Sequence, residues 1–145
     1  MRPKGGCAMS NLVAKVEIST DKVPNAREVL DLFKRLNWAK MDYRDPERFQ
    51  RALENSYPLV TAWDGSRLAG ICRAITDGEC TAYITAVGVE PDYQGGGIGT
   101  ALIERALELL EGYDTIALIT GLDKVEYWEK FGFVHFEGGM MLRRW

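Results

Sequence analysis

At 145 residues, with 46% hydrophobic and 27% charged residues, the chain is sized and composed for one soluble globular domain. A formal charge of -3 offers no general attraction to nucleic acid or anionic lipid, and no apolar run approaches the ~20 residues that cross a bilayer. Three cysteines, an odd number, and a single histidine show no metal-ligand spacing.

In Met1-Arg2-Pro3-Lys4-Gly5-Gly6-Cys7-Ala8 no apolar core follows the positive charges, so a secretory signal is not expected. Residues 1–11 are expected to be a disordered leader, with Met9 as an alternative start, and 12–145 to form one domain. Leu12 to Ile18 alternates as a first strand. Pro24 suits the first turn of a helix with Thr20 or Asp21 near its cap and a stripe of Val29, Leu30, Phe33 and Leu36. A connector bearing Trp38 and Tyr43 leads to Asp45-Pro46-Glu47, which caps a second helix.

Three runs then form a meander: Leu59 to Trp63, Leu68 to Ile75 and Tyr83 to Val89. Asp64-Gly65 and Asp77-Gly78 read as their two-residue turns. A two-residue turn at Asp77-Gly78 places Cys80 opposite Ile75 and Cys72 on the other face, which disfavours a disulfide and predicts reduced thiols in the cytoplasm. Ile98 to Glu111 has helical spacing, closed by Gly112. Thr115 to Thr120 reads as a strand, and Asp123 to Phe131 as a short helix ended by Gly132. Phe133 to Phe136 and Met140 to Trp145 read as a final hairpin around Gly138-Gly139. Its outer strand offers an edge either to its own sheet or to a second subunit in a homodimer.

The most informative stretch is Gln94-Gly95-Gly96-Gly97-Ile98-Gly99, between the Tyr83–Val89 strand and the following helix. Glycines allow a tight bend close to a ligand, and the first helix amides lack partners and carry partial positive charge. Phosphate oxygens suit such a place. A Walker loop would need a lysine that is missing before Thr100, and a dinucleotide fold would need these glycines after its first strand.

With those excluded, the stretch resembles the acetyl-coenzyme A signature of the GNAT superfamily of N-acetyltransferases: Gln or Arg, two residues, Gly, one residue, Gly or Ala. Gln94, Gly97 and Gly99 match it, with Val87, Val89, Pro91, Gly95 and Ile98 at positions where the family commonly has the same types. A second family motif is matched by Tyr127-Trp128-Glu129-Lys130-Phe131-Gly132-Phe133. The resemblance covers roughly residues 12 to 145. It implies an α/β GNAT fold: a mixed, mostly antiparallel sheet of about seven strands flanked by about four helices. It also implies acetyl-coenzyme A as co-substrate, without a metal, bound by Val87, Gly88, Val89, Gln94, Gly95, Gly96, Gly97, Ile98, Gly99, Thr100 and Trp128. In the family the connector between the first two helices folds over the acceptor amine. Trp38 and Tyr43 are therefore expected at the acceptor, or as plugs between helices and sheet, and Tyr83 is also expected at the acceptor.

Acetyl transfer requires a neutral amine. An amine of pKa about 10.4 lies ~3.4 units above pH 7, so deprotonation costs about 4.6 kcal/mol. No carboxylate occurs within Tyr83–Val89, where the family often has one; Tyr83 and Thr85 are its polar groups, able to hold water. The family's usual acid is a tyrosine four residues before the motif glycine, and here that place is Trp128. An indole N–H cannot usefully release a proton. Tyr127 is adjacent, about 100° around the helix, and is the candidate acid if the helix is rotated, or else a packing residue. His135 reads as structural. Three functions stay open: acetylation of a small amine, acetylation of a protein lysine or N-terminus, and a non-catalytic acyl-coenzyme A sensor.

Overall fold

The computed structural model describes residues 15–38 and 45–144. A five-stranded sheet runs in the order β1 (Glu17–Ser19), β2 (Leu59–Asp64), β3 (Arg67–Thr76), β4 (Thr81–Val89) and β5 (Thr115–Leu118). All neighbours are antiparallel except β4 and β5, which are parallel. A parallel pair needs a crossover, and the helix α3 (Ile98–Leu109) supplies it. The helices α1 (Ala26–Arg35) and α2 (Pro46–Glu54) precede β2, and a short helix α4 (Val125–Glu129) follows β5.

The sheet separates two cores. On one side Leu102, Ile103 and Ala106 of α3 pack on Val60, Cys72 and Ile84. On the other, Val29, Leu32, Phe33, Phe49 and Leu53 of α1 and α2 cover Ile71 and Ala86. Ile84 and Ala86 are two residues apart, so a regular strand would put both on one face. A bulge separates them: Arg73 pairs with Ala86 and Ala74 with Ile84, leaving Thr85 without a ladder partner. Thr85 is held instead by Arg73, whose guanidinium donates to the Thr85 hydroxyl at 3.1 Å.

Several boundaries differ from those expected. Of the strand expected over Leu12 to Ile18, residues 12–14 lie outside the described residues, and pairing begins only at Glu17. The cap of α1 is Asn25, inside Pro24, because Asn25 with Glu28 three residues on forms a reciprocal capping box. The turn after β2 is centred on Gly65-Ser66, since Asp64 itself pairs with Arg67. Asp77-Gly78 is not a two-residue turn, because the Asp77 carboxylate accepts the N–H groups of Glu79, Cys80 and Thr81 and winds a longer loop. Tyr83, not Cys80, therefore faces Ile75. Cys72 is buried, Cys80 exposed, and both are free; burial pushes the Cys72 thiol up to about 12.

The hairpin expected near the end is not formed, and residues 133–144 contain no strand. Phe133 still packs on Trp128, at 5.3 Å between ring centroids, but Val134, Phe136, Met140 and Leu142 are exposed. A two-stranded hairpin that docks no apolar face is marginal on its own. These two strands account for the difference between about seven expected and five found.

At the end of β4, Glu90 is only 3% exposed and its carboxylate is clasped by Arg35 of α1, with Nε 2.9 Å from one oxygen and 3.1 Å from the other. This pair fixes α1 against the end of the strand, and the hydrogen bond that Arg35 donates to Glu90 raises the Arg35 pKa.

Hydrogen bonds from the amides of Glu79, Thr81 and Cys80 hold the Asp77 carboxyl below its ordinary value. A depressed folded pKa stabilises above the unfolded value and loses that contribution as pH falls through the folded one. Asp77→Ala should lower the melting temperature at pH 7, and the gap to wild type should close as pH drops below about 3.9. Thermal melts across this range check it.

Candidate active site

The site begins where two strands part. Residues Thr81 to Ile84 of β4 pair with all four residues of β5, after which β5 ends at Leu118. The last five residues of β4, Thr85–Val89, continue for roughly 16 Å without a neighbour on that side. The gap is the mouth of a cleft of about 1300 Å³. One wall is Ile84–Val87 and Val89, the opposite wall is Leu118–Gly121 with Asp123, Glu126 and Tyr127, and the floor is the bend that opens α3.

In that bend Gly95 and Gly97 have φ of 80° and 89°, the left-handed region in which a side chain would be strained. Gly97 is the N-cap of α3, and no side chain caps this helix; its first turn carries no acid. The other two long helices are different: Asn25 and Asp45 cap α1 and α2, with Glu28 and Glu47 in their first turns. Among the described residues the amides of Ile98, Gly99 and Thr100 therefore find no acceptor, at the positive end of a twelve-residue helix, and all three residues line the cleft.

The far wall is an aromatic cluster. Trp128 is 9% exposed and packs against Phe131 and Phe133 in the α3-side core. Tyr127 is half-buried and makes an edge contact with Phe131 at 5.4 Å. Its hydroxyl lies 3.3 Å from the point where a Cβ on Gly99 would stand. That hydroxyl forms no hydrogen bond with a described residue, and Tyr127 lines the cleft. The 100° step from the usual acid position thus points Tyr127 at the start of α3 and leaves Trp128 to the core.

Of the expected cofactor contacts, Val87, Val89, Gln94, Gly95, Gly97, Ile98, Gly99, Thr100 and Trp128 line the cleft. Gly88 does not, because it faces α1, where a Cβ would come within 2.9 Å of Leu36 Cδ1. Gly96 is not a lining residue either. The Gln94 side chain reaches back and donates to the Val89 carbonyl at 3.0 Å, tying the bend to the strand. Trp38 lines the mouth, set by its contact with Phe33 at 5.1 Å. Tyr83 lies below the parting point, beside Ala117 of β5, and is not a lining residue. Tyr43 lies outside the described residues, and His135 is exposed and away from the cleft. The β5-side wall went unforeseen, since Asp123, Lys124 and Glu126 carry no motif of their own. Among the described residues no group of three or more metal-ligating side chains occurs, and no helix is long and apolar enough to cross a membrane.

A parallel pair that parts over an uncapped helix start leaves an open cleft with free amides at its floor, an arrangement suited to phosphate oxygens. The comparisons give the family. A model of the acetyltransferase (GNAT) family matches residues 24–133. The chain is 29% identical over 136 residues to the uncharacterized N-acetyltransferase ycf52 of Pyropia yezoensis, covering 90% of this chain and 76% of that one. It is 36% identical over 96 residues to serotonin N-acetyltransferase 2, chloroplastic, of Oryza sativa subsp. japonica, and 33% identical over 103 residues to histone acetyltransferase TAP1 of Glycine max. Each of these two covers 62% of this chain, which spans 48% and 45% of their lengths. Among solved structures, a probable acetyltransferase from meticillin-resistant Staphylococcus aureus superposes with a TM-score of 0.75 at 27% identity, over 89% of this chain and 99% of that one. The chain belongs to the GNAT family and is an acetyltransferase.

Gly97→Trp should abolish binding of coenzyme A by filling the bend, while far-ultraviolet circular dichroism remains that of the wild type. Calorimetric titration showing unchanged affinity would contradict the placement of the site.

Proposed function

We propose that the protein transfers the acetyl group of acetyl-coenzyme A to a primary amine on a small molecule by direct attack. The observation that carries this reading is the uncapped, acid-free start of α3 opening onto the cleft. In this reading the diphosphate of coenzyme A accepts from the amides of Ile98, Gly99 and Thr100. The pantetheine arm, itself an amide-bearing chain, lies along the open edge of β4 as an added strand would. That brings the thioester toward Thr85 and Tyr127, with the amine entering past Trp38.

The nitrogen attacks the thioester carbonyl, the C–N bond forms and the C–S bond breaks. With no carboxylate on β4, the amine gives its proton to water in the open cleft. The rate should therefore rise with pH toward the amine's own pKa, near 10.4 for an alkylamine. Tyr127 donates its proton to the departing sulfur and regains one from solvent. A thiol of pKa near 8.5 leaves tolerably unaided, so this acid accelerates the reaction without being indispensable.

The small-amine acceptor is supported by the aromatic wall at Trp38 and by the likeness to a serotonin N-acetyltransferase. The likeness to a histone acetyltransferase supports a protein lysine as the second reading. We place the protein in a reducing compartment, because Cys72 and Cys80 are free. The cytoplasm expected from sequence is one such place, and the chloroplast named for one relative is another.

Thiol release measured with a panel of amines and peptides, beside a coenzyme A binding isotherm, tests the assignment. Turnover with small amines is expected. Turnover with peptides alone would select the second reading, and tight binding without any thiol release would make the protein a sensor. Tyr127→Phe should lower kcat by at least about tenfold with an unchanged KM for acetyl-coenzyme A. Trp128→Phe should mainly lower the melting temperature. Equal kcat in Tyr127→Phe and wild type would remove Tyr127 from the chemistry.

A further inference from the structure

The glycines of the bend carry no side chains, so beyond the Gln94 tie to the Val89 carbonyl the bend is held from its ends. It is slung between two anchors: Ile98, 1% exposed, on the helix side, and Tyr93, 6% exposed, immediately before Gln94. Ile98 is held by packing, which fixes depth but not direction. Tyr93 differs. Its ring enters the α3-side core while its hydroxyl donates to the Asp64 carboxylate at the end of β2. Asp64 also takes Lys15 Nζ at 3.1 Å, and the Arg67 guanidinium lies over the Tyr93 ring at 5.2 Å from its centre. The bond is charge-assisted and joins the bend to an element remote in sequence.

We propose that Tyr93 and Asp64 are positioning residues for the cofactor: their hydrogen bond sets the spacing of the glycine bend that receives the diphosphate. This rests on the reading of the bend as a coenzyme A diphosphate site. Tyr93 also lines the cleft beside Gln94, Gly95 and Gly97, so a shift of its backbone carries directly into the bend. The amide of Tyr93 bonds to the Glu90 carbonyl at 2.8 Å and that of Gln94 to the Pro91 carbonyl at 3.3 Å, making one short 3-10 turn that moves as a unit. Phenylalanine at position 93 keeps the packing and loses only the directed bond.

The test compares coenzyme A with S-acetylpantetheine, which has the same arm but no diphosphate. Titration of Tyr93→Phe should show coenzyme A affinity reduced roughly fivefold to tenfold, as loss of one charge-assisted hydrogen bond implies, with S-acetylpantetheine unchanged. Asp64→Ala should do the same, and the double variant should lose no more than either single one, because the two groups act as one contact. Unchanged coenzyme A affinity in Tyr93→Phe, or equal weakening toward both ligands, would overturn the inference. Wild-type protein that binds S-acetylpantetheine no more weakly than coenzyme A would instead refute the diphosphate reading of the bend.

Discussion

Three backbone amides at the start of α3 govern the rest of this structure. An N–H group without an acceptor is tolerated only where water or a ligand reaches it. The other two long helices are capped by side chains, Asn25 and Asp45, and each carries an acid in its first turn. At α3 the chain does neither, and places a left-handed glycine at the cap instead. The neighbourhood is then built to keep that end both open and fixed. Arg35 and Glu90 tie α1 to the end of β4, Gln94 ties the bend back to Val89, and the Tyr93 hydroxyl reaches Asp64.

The cleft above those amides follows from strand geometry. A parallel partner that stops after four residues leaves the end of β4 with an unoccupied edge, and such an edge accepts an extended, amide-bearing ligand. The bulge at Thr85 lies next to the parting point and switches the faces of the strand, so that Ile84 joins one core and Ala86 the other. One strand is therefore buried on both sides while still exposing backbone to the cleft. Rigidity comes from the two cores and access from the missing neighbour, which is how a binding element stays ordered without a ligand.

The parts legible in the sequence were those with local causes. The glycine run after an apolar strand, the amphipathic stripe of α3 and the Asp45-Pro46 start of α2 each encode their own geometry, and the two motifs gave the family. What escaped depends on contacts across the fold. The clasp of Glu90 by Arg35 spans 55 residues and has no local signal. Asp64 reads as a turn residue because its partner Tyr93 is 29 residues away. Asp77 beside Gly78 imitated a tight hairpin, although its carboxylate satisfies three amides of a longer loop. The orientation of Tyr127 was beyond a helical count, since it follows from the burial of Trp128 among Phe131 and Phe133. The closing segment, which reads as a hairpin around Gly138-Gly139, docks only Phe133 and leaves Val134, Phe136, Met140 and Leu142 exposed.

The central claim is that unsatisfied amides at the start of α3 hold the diphosphate of the acyl carrier. Amide nitrogen and proton shifts, followed while coenzyme A is added to labelled protein, read those groups one at a time. The largest downfield proton shifts should fall on residues 95–100 and be absent with S-acetylpantetheine. Shifts confined to other parts of the cleft, with residues 95–100 unmoved at saturating coenzyme A, would contradict it.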